Sequence, residues 1–76
     1  MGSKKRDTAM TDQVLWRKIA RIVIMLAERL GITQERALGT FYNTRTFSLL
    51  RNPESGLNLL SDEYIVNDTI RELENM

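Results

Sequence analysis

The sequence predicts an all-α fold, a small bundle of about four helices, and three observations carry that expectation. Residues 11–30, TDQVLWRKIARIVIMLAERL, contain neither Gly nor Pro, and their apolar side chains recur at helical spacing. Leu15, Ile19, Ile22, Leu26 and Leu30 follow steps of four, three, four and four. Two further stretches, residues 34–42 and 62–75, open after a hydroxyl side chain suited to capping and show one apolar side each. No run alternates apolar and polar residues as a half-buried strand would.

The first helix is predicted over residues 12–30, with Thr11 or Asp12 as its cap and Gly31 as the left-handed residue that ends it. Its apolar arc is wide. Trp16, Ala20, Val23 and Ala27 lie beside the main stripe and Ile24 broadens it, so about half the cylinder is apolar, against the ~100° needed to cover one neighbour. Such a helix lies between two packing partners. Arg17, Lys18, Arg21, Glu28 and Arg29 take the other side, and Met25 falls among them, where an apolar side chain lacks a packing reason.

A second helix, residues 34–42, is capped by Thr33 and carries Glu35 in its first turn, where the helix dipole favours an acid. Ala37, Leu38, Phe41 and Tyr42 form its apolar face, and Gly39 inside it suggests a close helix–helix approach. A short third helix is predicted over 45–51, its inner side formed by Phe47 and Leu50. Asn52-Pro53-Glu54-Ser55-Gly56 is the strongest turn signal in the chain. Leu57, Leu59 and Leu60 follow as a short extended apolar segment. Ser61 or Asp62 then caps the last helix, with Ile65, Val66, Thr69, Ile70 and Leu73 along one side. Most of the five aromatic residues are expected in the core, with Trp16 or Tyr64 as the surface anchor.

Seventy-six residues make one domain, residues 11–76, behind a basic tail, residues 1–10, expected to be disordered. A chain this short buries only about 60% of the surface its unfolded form exposes, which favours help from oligomerisation or a partner. It has no cysteine and no histidine, so thiolate chemistry, disulfides and the commonest general base are excluded together. Asp62, Glu63 and Asp68 could in principle form a carboxylate pair or a magnesium site. Acids in early helical turns are, however, expected from the dipole alone. No enzyme activity, cofactor or metal is expected. The longest uninterrupted apolar run, residues 22–27, falls far short of the ~20 residues of a membrane span. With no signal-like leader either, no membrane association and a cytoplasmic location are expected.

Charge divides the chain. Up to Arg51 there are ten basic and four acidic side chains, and beyond it Arg71 stands against six acids. That split suits an acidic last helix packed on the basic first half, a docking between copies, or a basic face for nucleic acid. The last option gains from residues 26–42, which look like a helix-turn-helix unit: Ala27 is small, Gly31 sits in the turn, Ile32 is apolar just after it. Gln34, Glu35 and Arg36 would then be offered to base edges, with Gln34 and Arg36 as the candidate contacts. Against it, Ala37 and Thr40 stand where larger apolar residues are usual, and the first helix is too long for that unit.

The stretch FYNTRTFSLLRNPESGL, residues 41–57, resembles the pattern F-Y-x-S-x-T-Y-x-L-L-x-D-P-x-T-G-L of a family of short bacterial proteins of uncharacterised function. Thr44, Phe47, Asn52 and Ser55 depart mildly from it. Members neighbour genes for other small proteins, some toxin-like, so the resemblance implies a partnered, antitoxin-like role and brings no catalytic residues. Physically the stretch reads as scaffold, with Phe41, Phe47, Leu50 and Leu57 clamping the third helix onto the first. The function expected is therefore a non-catalytic protein–protein interaction module acting as a homo-oligomer or with a cognate small protein. Its expected contact is Trp16 as anchor, Ala20 and Ile24 as floor, Arg17 and Arg21 as rim, and Met25 as an extension.

Overall fold

The computed structural model describes the backbone of residues 2–76 and the side chains of residues 13–76. The backbone is helical from Gly2, ahead of the expected start at residue 12, so Thr11 and Asp12 lie inside the first helix and neither caps it. The tail expected over residues 1–10 falls on residues whose side chains lie outside that description. Four helices follow one another: α1 (Gly2–Leu30), α2 (Gln34–Tyr42), α3 (Arg45–Arg51) and α4 (Asp62–Glu74). Two 3-10 turns, Pro53–Ser55 and Leu57–Leu59, join α3 to α4. No strand occurs among the described residues, so the all-α bundle expected from the sequence is the fold.

Local chemistry sets the boundaries. Gly31 takes φ 67°, and the Ile32 amide donates to the Ala27 carbonyl at 3.1 Å, the six-residue closure of a Schellman motif. Thr33 caps α2 by accepting from the Arg36 amide, and Ser61 caps α4 by accepting from the Tyr64 amide, each at 3.1 Å. Thr44 works in both directions, accepting from the Phe47 amide at 3.1 Å and donating to the Phe41 carbonyl at 2.6 Å. Asn52 accepts from the Glu54 amide, Gly56 turns the chain at φ 72°, and Ser55 Oγ donates to the Leu49 and Asn52 carbonyls. The turn lowers Leu57 into the core.

α1 is the axis, with α2 and α4 packed along it. Ile19, Ile22, Val23, Leu26 and Ala27 from α1 join Ala37, Phe41, Phe47, Leu50, Leu57, Ile65 and Val66 in one cluster. Opposite charges bind α4 to α1. Lys18 Nζ donates to the Leu60 carbonyl at 2.8 Å and to Asp62 at 2.9 Å, and Arg21 Nε meets the other Asp62 oxygen at 2.7 Å. Further along, Arg29 donates to Asn67 at 2.9 Å. The charge asymmetry of the sequence is thus used within the fold.

Four further expectations need correction. α3 lies chiefly against α2 and α4 rather than clamped on α1, although its apolar residues reach the same cluster. Its N-terminus is held by Glu72 of α4, whose carboxylate accepts from the Arg45 amide at 2.6 Å, the Thr46 amide at 3.0 Å and Thr46 Oγ at 2.8 Å. Gly39 is exposed and has open space where a side chain would start, so it marks no close approach. Leu57–Leu59 is a 3-10 turn rather than an extended segment, and Leu59 is 83% exposed. Of the aromatics only Phe41 and Phe47 are core; Tyr42 joins Trp16 and Tyr64 at the surface.

Candidate functional site

The wide apolar arc of α1 is covered unevenly. Leu26 and Ile22 are sealed, whereas Trp16 is 48% and Ile24 42% exposed, and Ala20 between them is open as well. The three follow one another at steps of four, on one face of the helix. α2 runs beside that face. Gln34, Glu35 and Leu38 form its wall, and with Trp16, Ile19, Ala20, Val23 and Ile24 they line an apolar groove of about 330 Å³.

Trp16 is held in place from one side. Its ring meets Tyr42 edge-on at 6.3 Å, Tyr42 stacks at 4.6 Å on Phe47, and Phe47 meets Phe41 at 5.4 Å. An aromatic relay therefore runs from the surface to a fully buried ring and limits the freedom Trp16 would lose on being covered. Arg17 and Gln13 line the flank of Trp16 and Ala20 that faces away from α2.

The structure brings together Trp16, Arg17, Ala20 and Ile24 as the sequence suggests, and separates two others from them. Arg21 is exposed but committed to Asp62, so it braces α4 instead of forming a rim. Met25 is half-buried against the core, because α4 widens the covered side of α1 beyond what the charged residues around Met25 imply. Sequence reasoning missed the second wall, Gln34, Glu35 and Leu38. The step of four from Gln34 to Leu38, matching those of Trp16, Ala20 and Ile24, was the signal available. Gln34 and Arg36, the candidate DNA contacts, are both exposed on α2, while Ala37 docks fully buried in the core.

Comparison with protein-family models, curated proteins and solved structures finds no match to this chain.

Titratable groups serve the bundle. The Arg21 hydrogen bond holds the Asp62 carboxyl below its ordinary range, partial desolvation opposes this, and Lys18 adds to the lowering. For Glu72 partial desolvation pushes up, but the Arg45 and Thr46 hydrogen bonds and the Arg45 charge outweigh it, so its carboxyl is also lowered. The three acids considered for catalysis point to different bases: Asp62 to Lys18 and Arg21, Glu63 to Arg29 at 3.9 Å, and Asp68 to Arg71 at 3.4 Å. Among the described residues no group of three potential ligands gathers as a metal ion would require, and no helix is long and apolar enough to cross a membrane.

Proposed function

We propose that this chain is a non-catalytic interaction module that docks a protein surface, either a second copy or a small cognate protein, on the face formed by Trp16, Ala20 and Ile24. The observation that carries the reading is the apolar groove between that face and α2, with a large ring at one end braced by the aromatic relay. Burying an aromatic anchor of this kind contributes ~2 kcal/mol or more to association, which is where hot spots concentrate. The family resemblance of residues 41–57 gives the reading its biological form: an antitoxin-like role beside a small partner, in the cytoplasm. That stretch builds scaffold here, which agrees with a contact surface elsewhere on the chain.

Ile24→Asp tests the reading. The charge falls on an exposed position, so circular dichroism should retain the helical spectrum while sedimentation shows association lost. A chain that unfolds on this substitution would make the face part of the core and end the proposal.

A second reading, DNA binding through α2, has one observation in its favour: Gln34 and Arg36 are exposed, and Arg36 forms no ion pair among the described residues. Lys18, Arg21 and Arg29 are engaged with α4, which weakens the positive field that reading needs. Duplex binding that falls steeply with salt, with sequence preference altered by Arg36→Ala or Gln34→Ala at unchanged stability, would establish it.

A further inference from the structure

We infer that the pose of Trp16 is set from α3, and that Tyr42 is the positioning residue through which α3 holds the ring. The inference rests on the reading of this face as a docking surface and adds what governs its anchor.

On its own helix Trp16 finds little that would fix a ring. Ala20, one turn on, offers only a methyl group, and Gln13 and Arg17 are exposed. Ile19 and Val23 present aliphatic surface, whose attraction has no direction and does not select one ring orientation. Among the described residues the one ring-to-ring contact of Trp16 is with Tyr42. It is edge-on, an arrangement that the charge distribution of aromatic rings favours.

Tyr42 holds a ring only because it is held itself. It is the last residue of α2 and its side chain is exposed, so α2 alone would leave it at a fraying end. What fixes it comes from α3. Phe47 lies against Tyr42 at 4.6 Å with the ring planes 41° apart. Phe47 is buried against Phe41, and the Arg51 guanidinium carbon lies 5.7 Å from its centroid. The start of α3 is tied from two directions. The Thr44 hydroxyl bonds both the Phe41 carbonyl and the Phe47 amide, which joins the end of α2 to α3. Glu72 takes the Arg45 and Thr46 amides from the α4 side. Tyr42 itself stands outside the lining of the groove, so it serves the docking face through Trp16. An anchor held in one pose beforehand loses less freedom when a partner covers it.

Trp16 is the only tryptophan in the chain, so its fluorescence reads the ring without any partner. Time-resolved anisotropy of the full chain in dilute solution separates fast ring motion from the tumbling of the whole molecule. Tyr42→Ala should raise the fast share roughly twofold, because a freed side chain changes rotamer within nanoseconds. Circular dichroism should show the helices kept, since Tyr42 is exposed. Tyr42→Phe keeps the ring and should give the unaltered value. Phe47→Leu keeps the core apolar and removes the flat face beneath Tyr42. It should raise the fast share as well, with Trp16 and Tyr42 both in place, which a purely local role of Tyr42 would not produce. Should Phe47→Leu cost the helical signal, Phe47→Met takes its place. An unchanged fast share in Tyr42→Ala would overturn the inference. So would a rise in Tyr42→Ala that the folded Phe47 variant does not share, since α3 would then have no hold on the ring. Either failure leaves the docking reading standing, because that reading falls only if Ile24→Asp unfolds the domain.

Discussion

The two sides of α1 carry apolar side chains of similar size and end in different surroundings. On one, Ile22 and Leu26 are fully buried in the cluster that Ile65 and Val66 of α4 share, and Lys18 and Arg21 converge on Asp62. On the other, Ile19 and Val23 are buried, whereas Trp16, Ala20 and Ile24 stay exposed beside α2. The difference follows from breadth. α2 and α4 each pack on one flank of a helix whose apolar arc spans half its circumference, and α2 lies beside Trp16, Ala20 and Ile24 instead of over them. Salt bridges close the side that the chain covers, whereas Arg17 and Glu35 on the open side have no such partner among the described residues.

The contrast is broken most severely at Leu26. Leu26→Ala should cost ~2–5 kcal/mol, enough to unfold a domain this small, while Ile24→Ala two positions earlier should change stability by under ~1 kcal/mol. Urea unfolding followed by circular dichroism compares the pair. Equal losses would mean that both sides are core. Next comes Glu72, which stands in for a cap at the start of α3. Glu72→Ala should cost ~1–2 kcal/mol by leaving the Arg45 and Thr46 amides without their acceptor. Thermal unfolding would show it, and an unchanged midpoint would remove Glu72 from the account of α3.

Acid should loosen the α4 side of the molecule. Asp62 and Glu72 both have carboxyls lowered in the folded state, so over the acid range the unfolded chain binds more protons. Their stabilisation is fully present above the ordinary carboxylate range and is lost as pH falls through the lowered folded values. Asp62→Asn should flatten that decline, as read from unfolding midpoints across acid pH.

Much of this division was legible in the sequence, for local reasons. Thr33, Thr44 and Asn52 announce caps by residue type, and Gly31 and Gly56 announce left-handed turns. The excess apolar arc of α1 announced an uncovered face, and Trp16, Ala20 and Ile24 lie on it. Long-range placement was not legible. Glu72 caps α3 across 27 positions of sequence, a role that no local pattern encodes. What Met25 and Arg21 meet is equally beyond local pattern, because the one packs on the core cluster and the other pairs with Asp62 of α4, 41 positions on. Gly39 was assigned a contact that nothing makes.

That glycine supplies the smallest test. With helical backbone and open space at its Cβ position, Gly39→Ala should stabilise α2 by up to ~1 kcal/mol without touching the groove. A raised unfolding midpoint with unchanged association would keep stability and docking apart on this side of the molecule.

The central claim is that Trp16 belongs to a docking surface and not to the core, and Trp16→Ala tests it most directly. Sedimentation and circular dichroism should be run on the same samples. The expected result is a helical chain that unfolds cooperatively in urea, close to the unaltered midpoint, and no longer self-associates. A chain that has lost its helical signal, or one that is folded and associates as before, would contradict the claim.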